Sequence, residues 1–497
     1  MNRIFFQLAF LAFVWFPIGI LAASENDRPN ILFILTDDQG YGDLGRHGHP
    51  LLKTPNLDQL HDQSVRFENF YVSPSCSPTR AALLTGRHEF RSGVTHTQKP
   101  REHLHIDAVT LPQLFKESGY RTGFIGKWHL GGGKGYSPQF RGFDWTSTNA
   151  GGPFKHFDVE MVRNRKREQS KGFREDVFFD DAMKFMEQCG DDPFFCYLST
   201  YSPHAPVAAP EKNIENYRDK VDDPQAAYLG MVENIDDNVG RILKFLDEKK
   251  LAENTIVVFM NDNGQTMGLD VYNGGMRGCK CTIWEGGSRA MSFWRLPGKW
   301  KPKTVENLTA HLDVLPTLCD LAKVTVPEKL KPKLEGFSLR LLLESDSPQQ
   351  WHDDRMLFHH VARWPSGRAK AHKYAMAGVR QGEYLLLRSH CCGDPECQKF
   401  SSQCVLMNLV DKGATRANYT KENAQFHWGV TGGRWALYNS RKDRACEKDL
   451  AQSNPELVEK LSQAYDSWWE DVYPEMIAAG GDEGEPIPRG ALKKRKH

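Results

Sequence analysis

Asn30-Ile31-Leu32-Phe33-Ile34-Leu35-Thr36, followed at once by Asp37-Asp38, decides how the rest of the chain is read. From Ile31 to Leu35 the run is unbroken and apolar, so neither face is left for water. Such a segment is expected of a parallel strand covered on both sides. Residues 122–125, 194–199 and 255–260 are further runs of this kind. Helical patterns lie between them over residues 111–118, 177–189 and 226–248. Thr54-Pro55-Asn56 opens another helix, with its proline in the first turn. Strands alternating with helices from residue 30 to residue 260 predict an α/β fold: a mixed, mostly parallel sheet between helix layers.

The pattern changes after about residue 350. Residues 374–387 read as a hairpin turning at Arg380-Gln381-Gly382-Glu383, and residues 455–473 as an amphipathic helix. The expected organisation is a large α/β domain over residues 24–365, a smaller α+β domain over 366–485, and a basic tail over 486–497. At the start, Arg3 precedes an uncharged run from Ile4 to Ala23, broken by Pro17 and Gly19. That order is the one a secretory signal shows, so residues 1–23 are expected to be removed on export. The destination is the periplasm or the extracellular space, or a lysosome in a eukaryotic host, and no membrane span is expected after cleavage.

Lys+Arg 64 against Asp+Glu 63 leaves no basic field, and no nucleic-acid partner is expected. An oxidising destination allows disulfides, expected among Cys391, Cys392, Cys397 and Cys404. Cys189, Cys196 and Cys319 sit in apolar surroundings as buried thiols or disulfide halves.

Ligands of open α/β sheets gather at the carboxyl ends of the strands. Asp37-Asp38 follows one strand and Asp262-Asn263-Gly264 another. Three carboxylates and an amide oxygen suit a hard divalent cation, Ca²⁺ first and Mg²⁺ second. The densest segment is Cys76-Ser-Pro-Thr-Arg80-Ala-Ala-Leu-Leu-Thr-Gly-Arg87. It puts a cysteine just before a proline-opened helix, where amide dipoles favour an anion or a nucleophile, with Arg80 one turn further on.

That segment resembles the signature of the type I sulfatases, and the resemblance continues in order along the chain. Asp37-Asp38-Gln-Gly40, Gly126-Lys127-Trp-His129-Leu130, Ser202-Pro203-His204-Ala-Pro206, Asp262-Asn263-Gly264, Lys280 and His311-Leu-Asp-Val-Leu-Pro-Thr317 each match a family motif. Leu437-Tyr-Asn-Ser-Arg-Lys-Asp443 resembles the family's C-terminal strand and turn. One departure is the pair Cys279 and Cys281 flanking Lys280, where the family has small residues.

The resemblance implies an alkaline-phosphatase-like fold and the hydrolysis of sulfate esters, either aryl sulfates or sulfated carbohydrates. It also implies conversion of Cys76 to Cα-formylglycine by a maturation enzyme. One hydroxyl of the hydrated aldehyde would attack sulfur and form a sulfoenzyme intermediate. Asp37, Asp38, Cys76, Asp262 and Asn263 would hold the cation. Arg80, Lys127 and Lys280 would face the sulfate charge. His204 would protonate the leaving group, and His129 would take the proton whose loss releases sulfate. The same superfamily offers a phosphonate monoester or phosphodiester hydrolase as the alternative. A binding protein for sulfated glycans with an unmodified Cys76 is the other. Lys99, Arg101, His103, Lys155, His156, His359, His360 and Arg363 are candidate substrate contacts in loop-like stretches. Asn307-Leu-Thr309 and Asn418-Tyr-Thr420 match the glycosylation sequon.

Overall fold

A computed structural model describes residues 28–345, 351–389, 392 and 433–484. The expected signal segment, the basic tail, the Asn418 sequon, and Cys391, Cys397 and Cys404 lie outside the described residues.

The predicted apolar run becomes β1 (Asn30–Asp37), buried at every position. It is the hub of a ten-stranded sheet whose other members are β2 (Val65–Phe67), β4 (Arg121–Gly126), β5 (Trp145–Asn149), β6 (Glu160–Arg163), β7 (Lys166–Gln169), β8 (Phe194–Pro203), β9 (Thr255–Asn261), β10 (Ser292–Arg295) and β11 (Lys303–Val305). A two-stranded sheet pairs β3 (Phe70–Tyr71) with β12 (Thr309–Ala310). The large sheet runs β11-β2-β10-β9-β1-β8-β4-β5-β6-β7. Its centre is parallel, with β1 between β9 and β8, and β4 beside β8. Antiparallel pairs lie on both flanks, at β9–β10–β2 and β5–β6–β7, with β11 added parallel to β2 at one edge. The expected mixed, mostly parallel sheet is thus the observed one.

Alternation along β1 sends its side chains into two different cores. Ile31, Phe33 and Leu35 pack with Leu83 and Leu84 of α2 (Cys76–Thr85) and with Leu114 and Phe115 of α3 (Leu111–Glu117). Leu32 and Ile34 pack on the other face with Leu57 of α1 (Pro55–Asp62), Phe178 of α4 (Arg174–Cys189) and Ile235 of a long helix, Asp223–Glu248. Burial on both faces explains the absence of a polar stripe in the sequence. Helix α4 begins three residues ahead of its apolar pattern. Its first turn carries Arg174 and Glu175, charged but fully buried and paired with each other at 2.9 Å.

The C-terminal part forms a four-stranded antiparallel sheet of β13 (Met356–His360), β14 (Ala377–Gln381), β15 (Tyr384–Arg388) and β16 (Ala436–Asn439). The expected hairpin is β14–β15, with Gly382 at φ 57° in its two-residue turn. Helix Pro455–Ala478 packs Tyr465, Trp468 and Trp469 against this sheet, and Phe90 from beyond α2 enters the same cluster. Cys189, Cys196 and Cys319 are buried free thiols. No helix among the described residues is long and apolar enough to cross a membrane.

The seam between the two sheets holds buried imidazoles. His311 donates Nδ1–H to the Tyr71 carbonyl at 3.1 Å and accepts from Ser73 Oγ at 3.0 Å. His360 donates Nε2–H to the His372 carbonyl at 2.9 Å. Burial pushes His311 down to about 3 and His360 to about 4, and holds His88 and His359 well below the usual imidazole range. Each group binds its proton more weakly in the folded chain than at the ~6.5 of an unfolded one. Stability is therefore lost as pH falls through that value toward the folded ones. Burial also raises six carboxylates, Glu89 and Asp43 to about 7, Asp236 to about 6, and Asp262, Asp270 and Asp482 above their usual range, which favours the folded state as pH falls. The imidazoles outnumber them, because burial lowers His47, His49, His61, His103, His129 and His156 as well. The melting temperature should fall steadily from pH 7 to pH 4.5 in a thermal denaturation series; a flat or rising trend would contradict this reading.

Candidate active site

Strand register assembles the site. In the β1–β9 pair Thr36 lies opposite Asn261, so Asp37-Asp38 and Asp262-Asn263 leave the sheet side by side. Gly126, the last residue of β4, lies opposite Ser199 of β8, which brings Lys127 to the same edge. Gly126 has φ 103°, and a Cβ there would stand 1.8 Å from the Ser199 carbonyl oxygen. Only glycine lets the chain turn here with Lys127 N bonded to that oxygen at 2.8 Å. Gly264 meets the same constraint, because its Cβ would stand 1.8 Å from the Gly286 oxygen.

Cys76 is the first residue of α2, a helix buried at all ten positions, and is 1% exposed. Its sulfur and one carboxylate oxygen each from Asp37 and Asp262 lie within 4.8 Å of one another. Arg80 is one turn on. It donates Nη2 to Asp262 Oδ2 at 2.7 Å and stands 3.6 Å from Asp37 Oδ1. Its Nη1 donates to the Lys127 carbonyl at 3.0 Å and to Ser199 Oγ. Lys127 Nζ reaches Asp37 Oδ2 at 2.6 Å, and Lys280 Nζ reaches Asp38 Oδ1 at 2.5 Å. Asn263 Nδ2 donates to Asp38 Oδ1 at 2.8 Å. His204 Nε2 stands 3.7 Å from Asp38 Oδ2, while its Nδ1 donates to the Ala205 carbonyl.

Cys279 and Cys281 do not displace the ammonium between them. Cys281 N–H donates to the Pro74 carbonyl at 2.7 Å, which ties the Lys280 loop to the residues just ahead of Cys76. Cys281 takes φ 65° and turns into an apolar cluster with Ile283, Trp284 and Cys446.

His129 has φ 57°, an uncommon conformation for a residue with a side chain. Its Nε2 lies 3.1 Å from the Thr97 carbonyl oxygen and 3.6 Å from Glu102 Oε2. A carbonyl can only accept, so Nε2 carries the hydrogen and Nδ1 the lone pair. Nδ1 is buried with no hydrogen-bond partner. Burial, reinforced by Lys127, pushes this imidazole down to about 3, so the ring is neutral.

The electrostatics are those of a crowded ionic cluster. Burial alone would raise all three carboxylates. Lys127, His204 and Arg80 nonetheless hold Asp37 well below its usual range, and Lys280 with His204 lowers Asp38. Asp262 goes the other way, raised by burial and by the neighbouring Asp37. Lys127 and Lys280 hold the Cys76 thiol below its usual value against the effect of burial.

Asp37 Oδ1 and Asn263 Oδ1 are buried and have no hydrogen-bond partner. Two orphaned hard oxygens beside an over-acidic pair fit a divalent cation of the Ca²⁺ or Mg²⁺ type. All the residues assigned to the site from sequence, Asp37, Asp38, Cys76, Arg80, Lys127, His129, His204, Asp262, Asn263 and Lys280, meet at this one edge of the sheet. Ser199, Thr97 and Glu102 were not singled out from sequence; a lone serine or threonine in a strand or loop carries no signal.

Other candidates fall elsewhere. Arg101 is buried with Nη2 on the Trp364 carbonyl, and His359 and His360 lie in the seam described above. Arg87 pairs with Glu475 at 2.7 Å. Arg91 pairs with Glu335, Asp471 and Glu475, tying the segment that follows α2 to the C-terminal helix. Arg363, by contrast, lines the cavity above Cys76.

A family model described as Sulfatase matches residues 29–324. Mouse arylsulfatase J is 32% identical over 332 residues, covering 63% of this chain and 55% of that protein. Dog N-acetylgalactosamine-6-sulfatase is 34% identical over 351 residues, covering 62% of this chain and 65% of that protein. The chain thus spans less than two thirds of the length of either relative. A solved structure described as Ps i-CgsB in complex with k-i-k-neocarrahexaose shares the fold, with a TM-score of 0.76 at 23% identity over 94% of this chain and 97% of that one.

If the orphaned oxygens await a cation, adding millimolar Ca²⁺ or Mg²⁺ to EDTA-treated protein should raise the melting temperature. A ligand at 100 times its Kd stabilises by about 2.7 kcal/mol. The Asp262→Asn variant should lose this response; an equal response in variant and wild type would place the ion elsewhere.

Proposed function

The chain belongs to the sulfatase family, and from that premise we propose that it hydrolyses sulfate esters with residue 76, as Cα-formylglycine, supplying the nucleophile. One observation carries the reading: the residue 76 side chain shares a 4.8 Å cluster with Asp37 and Asp262. Lys127 and Lys280 are its foremost positive neighbours. As a hydrated aldehyde, residue 76 offers one hydroxyl to attack sulfur and a second whose deprotonation expels sulfate. A dication, Ca²⁺ or alternatively Mg²⁺, held by Asp37, Asp38, Asp262 and Asn263 would polarise a sulfate oxygen.

The chain's own residues do the rest. Lys127 and Lys280 are each fixed on a buried carboxylate before substrate arrives, so their charge needs no reorganisation as negative charge grows on the equatorial oxygens. Arg80 commits its terminal nitrogens to Asp262, Lys127 and Ser199 and keeps the acidic residues in register. His204, more open than the others, protonates the leaving oxygen. The neutral His129, with its Nδ1 lone pair unengaged, takes the proton from the second hydroxyl. Burial of Cys76 implies that its conversion precedes the docking of α2. A maturation enzyme acting on the unfolded Cys76-Ser-Pro-Thr-Arg80 segment is therefore part of the proposal. A sulfated carbohydrate is the proposed ester, in keeping with the dog relative's named hexosamine sulfate.

Three experiments test this. The peptide carrying residue 76 should weigh about 18 Da less than its cysteine form, because –CH₂SH becomes the –CHO that generates the nucleophile. Cys76→Ala should release no sulfate. A native peptide of unmodified mass, or full activity in Cys76→Ala, overturns the reading. For the acid role, His204→Ala should lose about 10²–10⁴-fold on esters of sugar alcohols and far less on aryl sulfates with acidic phenols. Equal losses on both would remove His204 from that role.

A further inference from the structure

We propose that the mouth of the active-site cavity holds a second anion-recognition point, Arg363, and, lining the same cavity, an aromatic platform, Phe154. Together they would select carbohydrate esters that carry another negative group beside the sulfate being cleaved. The inference rests on the sulfatase reading above and extends it to the substrate.

The cavity over Cys76 has a volume of about 470 Å³. That lies inside the ~300–1,000 Å³ range of small-molecule sites and leaves room for much more than a sulfate group. Its floor is the ionic cluster already described. Its rim includes Thr97, Gln98, Phe154, Tyr201 and Arg363.

Arg363 differs from the other cations of the cavity. Arg80, Lys127 and Lys280 each stand against a carboxylate. Arg363 forms no ion pair among the described residues. Its Nη2 donates to Thr97 Oγ1 at 2.7 Å, and its Nε is buried without a hydrogen-bond partner. A guanidinium anchored at one nitrogen, orphaned at another and open to a cavity is a receptor for an oxyanion, which it can bind through two parallel N–H groups. The anchor also fixes its place relative to the chemistry, because the Thr97 carbonyl holds His129.

Phe154 ends the short turn Gly152–Phe154 and is 77% exposed, the most exposed of the large apolar side chains among the described residues. A benzyl ring left in water at the lip of a polar cavity has no packing role in the fold. It suits the apolar face of a pyranose ring. The anion read by Arg363 is either a second sulfate or a uronate carboxylate, since each presents two oxygens that can accept the parallel N–H bonds of a guanidinium.

The experiment compares kcat/KM of the matured enzyme on three substrate groups. These are 4-nitrophenyl sulfate with neutral monosulfated sugars, sugars bearing a second sulfate, and sulfated disaccharides bearing a uronate. Wild type should prefer one of the two dianionic groups over the neutral sugars. Arg363→Gln should cut that preference by at least tenfold, mostly through KM, and Arg363→Lys should restore part of it. Phe154→Ala, a change at an exposed position, should lower kcat/KM for all sugars relative to the aryl ester. A dianion preference within twofold of wild type in Arg363→Gln, or a sugar-to-aryl ratio within twofold of wild type in Phe154→Ala, overturns the inference while leaving the sulfatase reading intact. Failure of wild type to release sulfate from any substrate overturns both.

Discussion

Three carboxylates stand where water cannot reach them, at the ends of two neighbouring parallel strands, and the rest of the site exists to make that tolerable. An isolated buried carboxylate would cost several kcal/mol or take up a proton. Here Arg80, Lys127 and Lys280 come from three separate segments, a helix, a strand end and a loop, and each closes on a different acid. The cluster is close to neutral as it stands. A dication added to it would leave a surplus of positive charge aimed at whatever enters the cavity, the condition for capturing an anionic ester. Because the groups are fixed by burial, that field is ready before substrate arrives, which is the source of the largest catalytic contributions in such sites.

The same constraint explains several local features that lack a reason in isolation. Gly126 and Gly264 are required because backbone must pass backbone at the strand ends to bring Lys127 and Asn263 inward. Helix α2 is buried on every side because its first residue must sit at the sheet edge while its body covers β1. Arg87 and Arg91, in the segment that follows α2, bind acids of the C-terminal helix. The small antiparallel unit thereby clamps the helix that carries residue 76, although none of its strands enters the site. The buried imidazoles along that seam link the clamp to pH.

How much of this was legible in the sequence follows from the same physics. The central strands announced themselves, because burial on both faces permits only apolar side chains over their length. The flanking strands did not. β7 is Lys-Arg-Glu-Gln and exposed at every position, and β2 and β11 are three residues each, too short for a period to register. Helix α4 started earlier than its pattern, because Arg174 and Glu175 satisfy each other in the interior and so break the link between charge and exposure. At the site, the acids and the cysteine were readable through spacing and family resemblance together. Thr97, Ser199 and Glu102 act through their positions alone, so no local pattern marks them.

Floor and rim of the cavity are built on different principles. The floor is set by strand register, where a shift of one residue would turn every side chain away, so it holds one arrangement of charges, proposed above to receive the sulfate. Apart from Tyr201 of β8, the rim is set by a turn at Phe154, a loop at Thr97 and a segment beyond β13 at Arg363, none of them held by register. Loops of this kind can change length and side chain without disturbing the ionic cluster beneath. Reaction type should therefore be shared across chains with this floor, and substrate choice should vary with the rim. In that division Arg363 occupies a telling place: its guanidinium belongs to the rim, yet its anchor, Thr97, also holds the imidazole proposed to release sulfate. A substrate whose second charge pulls on Arg363 thus bears on the same residue that sets the position of His129.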